Sequence, residues 1–513
     1  MEEESFHPFT EERLSGESLS RRHLIKLMGG GAAAALLPAC APSRLERNAR
    51  AALSEPLYYS SVRALAAGIR SGAVSAEETV RACLERIEAV NPQLNAVVQL
   101  QPEAALERAR QADAASNAGE SWGPLHGVPM TIKDSLDTAD MITTGGTSGR
   151  ASFVPERDAT VVARLREAGA ILLGKTNTPE LTLSFETTNL VYGKTSNPYD
   201  LERTSGGSSG GAAAIVAAGG SPFDIGSDYG GSIRLPCHWC GLAGIKPSAG
   251  RVPRTGHIYP FGGLQDSLQQ IGPIARTVDD LSLLLPLIMG PDWIDPAVAP
   301  LPWSEPERVD IEALRISFHT DNGIASPTRE TIETIEAVAA SLSEIGATVE
   351  EARPTGIEET LEVGLPLYFW DGGAAVRRLL AEAGTTETTL QDDFVGTPAL
   401  SASALDQTIA RWYGWRSRMH SFLSRFDVIV CPVNATPALP HGRAEGMENV
   451  PIYSYTVSYN LTGWPGVSVR AGASPEGLPI GGQIVARPGR EDVALAVAKF
   501  VEAAHGGFQP PSL

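Results

Sequence analysis

Residues 206–244 constrain this chain more than any other stretch, because two glycine-rich serine clusters flank an apolar run there. The first is Gly206-Gly207-Ser208-Ser209-Gly210-Gly211, and the second is Asp228-Tyr229-Gly230-Gly231-Ser232. Between them lie the alanine-rich residues 212–218 and the turn signal Gly219-Gly220-Ser221-Pro222. Glycine adopts positive φ at little cost, so paired glycines let successive backbone N–H groups converge on one point and cradle an anion. A serine at the end of such a cradle is placed as a nucleophile beside an oxyanion hole. An isolated Gly-Ser cluster reads as a turn or linker. Two of them around an apolar run of helical length argue for a site.

The rest of the chain has the size and balance of an enzyme. It has 513 residues, 42% hydrophobic and 20% charged, enough for a sizeable core. The formal net charge of −19 speaks against nucleic acid as a direct partner, since phosphate binding needs a basic face. Five cysteines (Cys40, Cys83, Cys237, Cys240 and Cys431) make no disulfide framework. Cys237-His238-Trp239-Cys240 is a lone C-x-x-C with no second pair at zinc spacing, so buried apolar thiols are expected and an oxidised pair stays open.

The N-terminus reads as a targeting segment. Ser20-Arg21-Arg22-His23-Leu24-Ile25-Lys26 has a twin-arginine pattern, followed by a Gly/Ala-rich run too short to span a bilayer. The run ends Leu37-Pro38-Ala39-Cys40, like a bacterial lipoprotein processing site with Cys40 lipidated. The expected organisation is a signal segment over 1–39, a tether over 40–56 and one large domain over 57–507. This implies an exported, envelope-located protein attached to the membrane through Cys40. The oligomeric state stays open.

Along the domain, helices and strands alternate. Ser75-Ala76-Glu77-Glu78 forms a capping box that opens a helix, which Asn91-Pro92 should end. Helices are expected over 102–116, 160–168, 328–345 and 492–503. Strands are expected over 94–100, 130–132, 170–173, 223–226, 316–318, 428–430, 467–469 and 478–485. Residues 174–177 and 460–466 read as turns. This rhythm implies an α/β fold with a mixed or largely parallel sheet and helices on its faces. Lys133 ends the strand 130–132; alone it reads as a solvated lysine, but facing the core it would be desolvated and could act as a neutral base. The aromatic clusters Tyr368-Phe369-Trp370 and Trp412-Tyr413-Gly414-Trp415 are expected to pack in the core rather than line a pocket.

Taken together, Gly127-Val128-Pro129, Lys133-Asp134, the two serine clusters, Ile233-Arg234-Leu235-Pro236 and Cys240-Gly241-Leu242-Ala243-Gly244-Ile245-Lys246-Pro247 resemble the amidase signature family. The resemblance runs from about residue 55 to 505. It implies a single large domain with a mixed central β-sheet wrapped by α-helices, and a Ser-Ser-Lys triad that hydrolyses small-molecule amides without metal or organic cofactor. Ser232 would be the nucleophile and Ser208 the bridging serine, which in the family follows a cis peptide bond. Lys133 would be the base. The backbone N–H groups of Tyr229, Gly230, Gly231 and Ser232 would form the oxyanion hole, with Ser209, Asp228 and Arg234 in support. Tyr229 departs from the small or branched residue often found at its position. Two rival readings remain. In one, Ser208 is an α/β-hydrolase nucleophile with His420 or His441 as base. In the other, the chain is the amidotransferase member of the family, working with partner chains. Mere ligand binding on the same fold would not need all three triad residues.

Overall fold

The computed structural model describes residues 50–54, 56–258, 263–390 and 392–513. The signal segment, Cys40 and most of the tether lie outside them. Thirteen strands are present among the described residues. They are β1 (Val97–Leu100), β2 (Pro129–Lys133), β3 (Ile171–Thr176), β4 (Ser196–Asn197), β5 (Asp200–Thr204), β6 (Phe223–Asp228) and β7 (Ala243–Lys246). There follow β8 (Gln270–Ala275), β9 (Arg315–Phe318), β10 (Thr348–Glu351), β11 (Val428–Pro432), β12 (Gly466–Ala473) and β13 (Pro479–Ala486). Eight form the central sheet in the order β10-β9-β11-β13-β12-β7-β8-β6. Its β10, β9 and β11 run parallel, whereas every pairing from β11 to β6 is antiparallel. The sheet is therefore mixed, as expected, but not largely parallel. Local sequence marks strands and helices but not which strands pair. Helices surround the sheet, giving one α/β domain.

A second sheet, β1-β3-β2, is joined to the edge strand β6 through side chains. Thr131 of β2 and Thr176 of β3 both donate hydroxyl hydrogen bonds to the Asp224 carboxylate of β6, at 2.6 and 3.1 Å. The Thr131 N–H adds a bond to Ser221 Oγ at 3.1 Å. This cross-link lays Lys133 at the end of β2 beside the end of β6, where the second glycine cluster begins.

The helix Gly210–Ala217 grows out of the first cluster and is buried at every residue. Its small residues are needed for that burial. A Cβ on Gly210 or Gly211 would collide with Thr187 or with the backbone of Asn177.

Three local expectations are corrected. The helix opened by Ser75 runs to Leu94 with Pro92 inside it. Asn95 at φ 51 ends it, and the Asn91 side chain accepts from the N–H groups of Ala96 and Val97 at 2.8 Å each. Residues 174–176 continue β3, and Gly174 sits where any side chain would strike the Gln99 carbonyl of β1. Asn460, Leu461 and Thr462 end the helix Ser454–Thr462, which Gly463 closes at φ 74. That helix is buried on all sides, so no amphipathic period announces it.

Ile484 of β13 is fully buried in the middle of the sheet. Ile484→Ala is expected to cost about 2–5 kcal/mol, read as a lower urea midpoint with the far-UV circular dichroism of the folded protein unchanged.

Candidate active site

Three segments converge at one buried point. The Lys133 side chain is completely buried, and its Nζ donates to Ser208 Oγ at 2.7 Å, Ser227 Oγ at 3.0 Å and Ser209 Oγ at 3.1 Å. Burial pushes its pKa from the ordinary lysine value down to about 7, against the opposing pull of Asp228 and Asp224. Asp134 turns away and accepts from Thr144 instead. The Gly207–Ser208 peptide is cis. The Ser209 N–H donates to the Ser232 carbonyl at 3.1 Å, tying the two glycine clusters together.

Asp228 and Arg234 shape the second cluster. The Asp228 carboxylate accepts from the Gly231 N–H at 2.8 Å and the Ile233 N–H at 3.1 Å. Arg234 donates to the same carboxylate from Nε at 3.0 Å and Nη2 at 2.8 Å. Burial alone would raise Asp228, but the charge and hydrogen bonds of Arg234, with Lys246 and the Asn460 side chain, hold it well below the usual carboxylate range. Arg234 also reaches Gln483 Oε1 at 2.7 Å, Thr456 O at 3.0 Å and Asn460 Oδ1 at 2.5 Å. One ion pair thus fastens the serine loop to β13 and the helix Ser454–Thr462. The Gly231 N–H carries one proton, and Asp228 takes it. Of the four loop amides expected to form the oxyanion cradle, that of Gly231 donates to Asp228 in this structure. Gly231 has φ 134, and a Cβ there would run into Thr456.

Ser232, Tyr229 and Gly230 open onto an apolar pocket. Phe185, Leu365, Tyr368, Phe369 and Phe394 supply much of its wall. Tyr229 stands edge-on to Tyr368 at 4.8 Å, and the Tyr368 hydroxyl donates to Tyr229 O at 2.9 Å. The aromatic clusters therefore divide: Trp412 and Trp415 are core, as expected, but Tyr368 and Phe369 line the pocket. The charged residues among the described lining are Glu180 and Glu445.

The two histidines weighed as bases lie elsewhere. His441 Nδ1 pairs with Glu186 Oε1 at 3.0 Å, and its Nε2 lies 3.2 Å from both Ser196 Oγ and Leu201 O. His420 is exposed near the end of the helix Ala402–Phe422. The histidine that does approach the site is His257, whose Nε2 lies 2.9 Å from Ser227 Oγ and whose Nδ1 lies 3.1 Å from Gln269 Nε2. Neither Ser227 nor His257 carries a motif signal that would have singled it out. Cys237 and Cys240 are buried free thiols, and no cluster of His, Cys, Asp and Glu suited to a metal occurs among the described residues.

A buried serine–serine–lysine constellation on a mixed α/β sheet, opening onto an apolar pocket, defines a hydrolase of the acyl-transfer class. The family model Amidase matches residues 78–495, and the chain belongs to that family, whose enzymes act on amide C–N bonds. It is 36% identical to a Glutamyl-tRNA(Gln) amidotransferase component of Moorella thermoacetica, over 87% of this chain and 96% of that one. It is 34% identical to Acylamidase of Rhodococcus erythropolis, with the same coverage. The structure of 6-aminohexanoate cyclic dimer hydrolase complexed with substrate matches with TM-score 0.79 and 28% identity, over 89% of this chain and 99% of that one.

Two outcomes are expected. Gly231→Ala should reduce amide hydrolysis by at least about tenfold, as a strained backbone displaces the serine loop, measured as kcat/KM on a 4-nitroanilide. If neutral Lys133 is the reactive form, kcat/KM should rise with pH through a midpoint near 7, because protonation below it removes the base. A flat profile between pH 5 and 8 would contradict this.

Proposed function

We propose that the chain hydrolyses carboxylic amides through an acyl-enzyme on Ser232. The observation that carries this reading is the 2.7 Å contact between a desolvated Lys133 Nζ and Ser208 Oγ. Neutral Lys133 takes the Ser208 hydroxyl proton while Ser208 takes that of Ser232. The Ser232 Oγ forms a bond to the amide carbonyl carbon, and the carbonyl oxygen becomes an oxyanion facing the loop amides of Tyr229, Gly230 and Ser232. One such donor is worth about 3–4 kcal/mol of barrier. The C–N bond then breaks as Ser208 passes a proton to the departing amine, and Lys133 returns its proton to Ser208. Water, deprotonated along the same relay, cleaves the ester and regenerates Ser232.

The substrate class follows from the pocket. No Lys or Arg is among its described lining residues. A substrate carboxylate would be buried there without a counter-charge, at a cost of several kcal/mol. This favours amides of apolar acyl groups over a free amino-acid amide such as glutamine. The amidotransferase reading keeps the support of sequence identity, but neither that pocket nor a net charge of −19 suits a tRNA-linked role.

Hydrolysis of 4-nitroacetanilide tests the assignment. Ser232→Ala and Lys133→Ala should each lose at least about 1,000-fold in kcat. His441→Ala should keep activity within about tenfold of the parent. Full activity in Lys133→Ala with loss in His441→Ala would make the relay wrong.

We also propose export and lipidation, resting on Arg21-Arg22, the short apolar run and Cys40. Changing both arginines to lysine should block export, and Cys40→Ser should release the protein from the membrane fraction. Export of the double-lysine variant at the normal level would remove the twin-arginine reading.

A further inference from the structure

The two acids in the pocket wall are differently placed. Glu180 is saturated. Its Oε1 accepts from Thr147 Oγ1 at 2.7 Å, and its Oε2 accepts from Thr388 Oγ1 at 2.7 Å, Thr389 N at 2.8 Å and Thr389 Oγ1 at 3.0 Å. Its task is to clasp residues 388–389 to the rim. Among the described residues, the Glu445 carboxylate accepts a single hydrogen bond, from Ser184 Oγ at 3.2 Å. It is only half-buried and faces the same pocket as Ser232. Glu186 stands close by, committed to His441 and to the Gly442 N–H at 2.9 and 3.1 Å. Burial, and then the negative field of Glu186, pushes the Glu445 carboxyl up from its ordinary value. Electrostatically, this end of the pocket is short of positive charge.

Resting on the amide-hydrolase reading above, we propose that Glu445 is a specificity-determining residue for amides whose apolar body carries a protonated amine. An ammonium brought by the substrate would pair with Glu445 and fill the deficit that Glu186 deepens. Charge-assisted hydrogen bonds of this kind are about twice as strong as neutral ones. The aromatic faces of Phe185, Tyr368, Phe369 and Phe394 suit the same ligand, because they hold both its methylenes and a cation. A carboxylate at the same end of the substrate would meet Glu445 with like charge.

Matched substrates test this on both sides of the scissile bond. Hexanoyl 4-nitroanilide is compared with 6-aminohexanoyl 4-nitroanilide, and N-hexylbenzamide with N-(6-aminohexyl)benzamide. In at least one pair the ammonium substrate should lead in kcat/KM by about tenfold or more. That ratio should fall to about one in Glu445→Gln and partly persist in Glu445→Asp. Equal rates within both pairs, or a preference that survives Glu445→Gln, would overturn the proposal. A binding measurement needs no variant: hexylammonium should inhibit turnover of the hexanoyl substrate more strongly than 1-hexanol, and equal inhibition would also overturn it. The underlying reading fails separately, if Ser232→Ala still cleaves the uncharged substrates.

Discussion

Everything at the site depends on keeping one lysine out of water. Lys133 is wholly buried, and three serine hydroxyls take the place of its hydration shell. Desolvation alone would make this an expensive place for an ammonium, and it brings the pKa to about 7. The three hydroxyls keep the group hydrogen-bonded in either protonation state, since a hydroxyl can accept from an ammonium or donate to an amine. The small sheet exists, in functional terms, to deliver this side chain. Asp224 and its two threonine partners fix where β2 ends relative to β6.

The second constraint is the buried Asp228–Arg234 pair. Its geometry is bidentate and its remaining donors and acceptors are used by Gln483, Asn460 and backbone groups, which is the condition under which a buried ion pair is tolerated. The pair links segments far apart in sequence, and it holds the Gly230-Gly231-Ser232 turn without blocking Ser232 from the pocket. The pocket wall is built largely apart from both. It draws on residues 179–188, 361–369, 389–394 and 444–457, so its chemistry can change without touching the lysine or the ion pair.

Much of this could be read from the chain. The two glycine clusters, the strand ending at Lys133 and the resemblance they carry place the residues now found in contact. Other parts could not be read locally. Ser227 and His257 look like any serine and histidine until β6 brings Ser227 to Lys133 and the loop before residue 258 brings His257 to Ser227. Tyr368 and Phe369 look like core aromatics because a pocket wall and a core interior demand the same side chains. The Gly231 amide looks available in the sequence, and only the folded turn brings the Asp228 carboxylate onto its proton.

Sequence by itself determined which residue types could do chemistry: hydroxyls beside paired glycines, a lysine ending an uncharged strand, an aspartate opening the serine turn and an arginine two residues after Ser232. It also determined the alternation of helices and strands, through local periodicity and capping. Tertiary structure decided that the central sheet is antiparallel for most of its width, because pairing is set by contacts between distant segments. It decided that Lys133 is buried rather than solvated, since burial depends on what the rest of the chain lays over a strand end. It also decided the character of the pocket. Among the described residues, the saturation of Glu180 and the single hydrogen bond to Glu445 arise only when four separate segments meet, and no spacing along the chain encodes that difference.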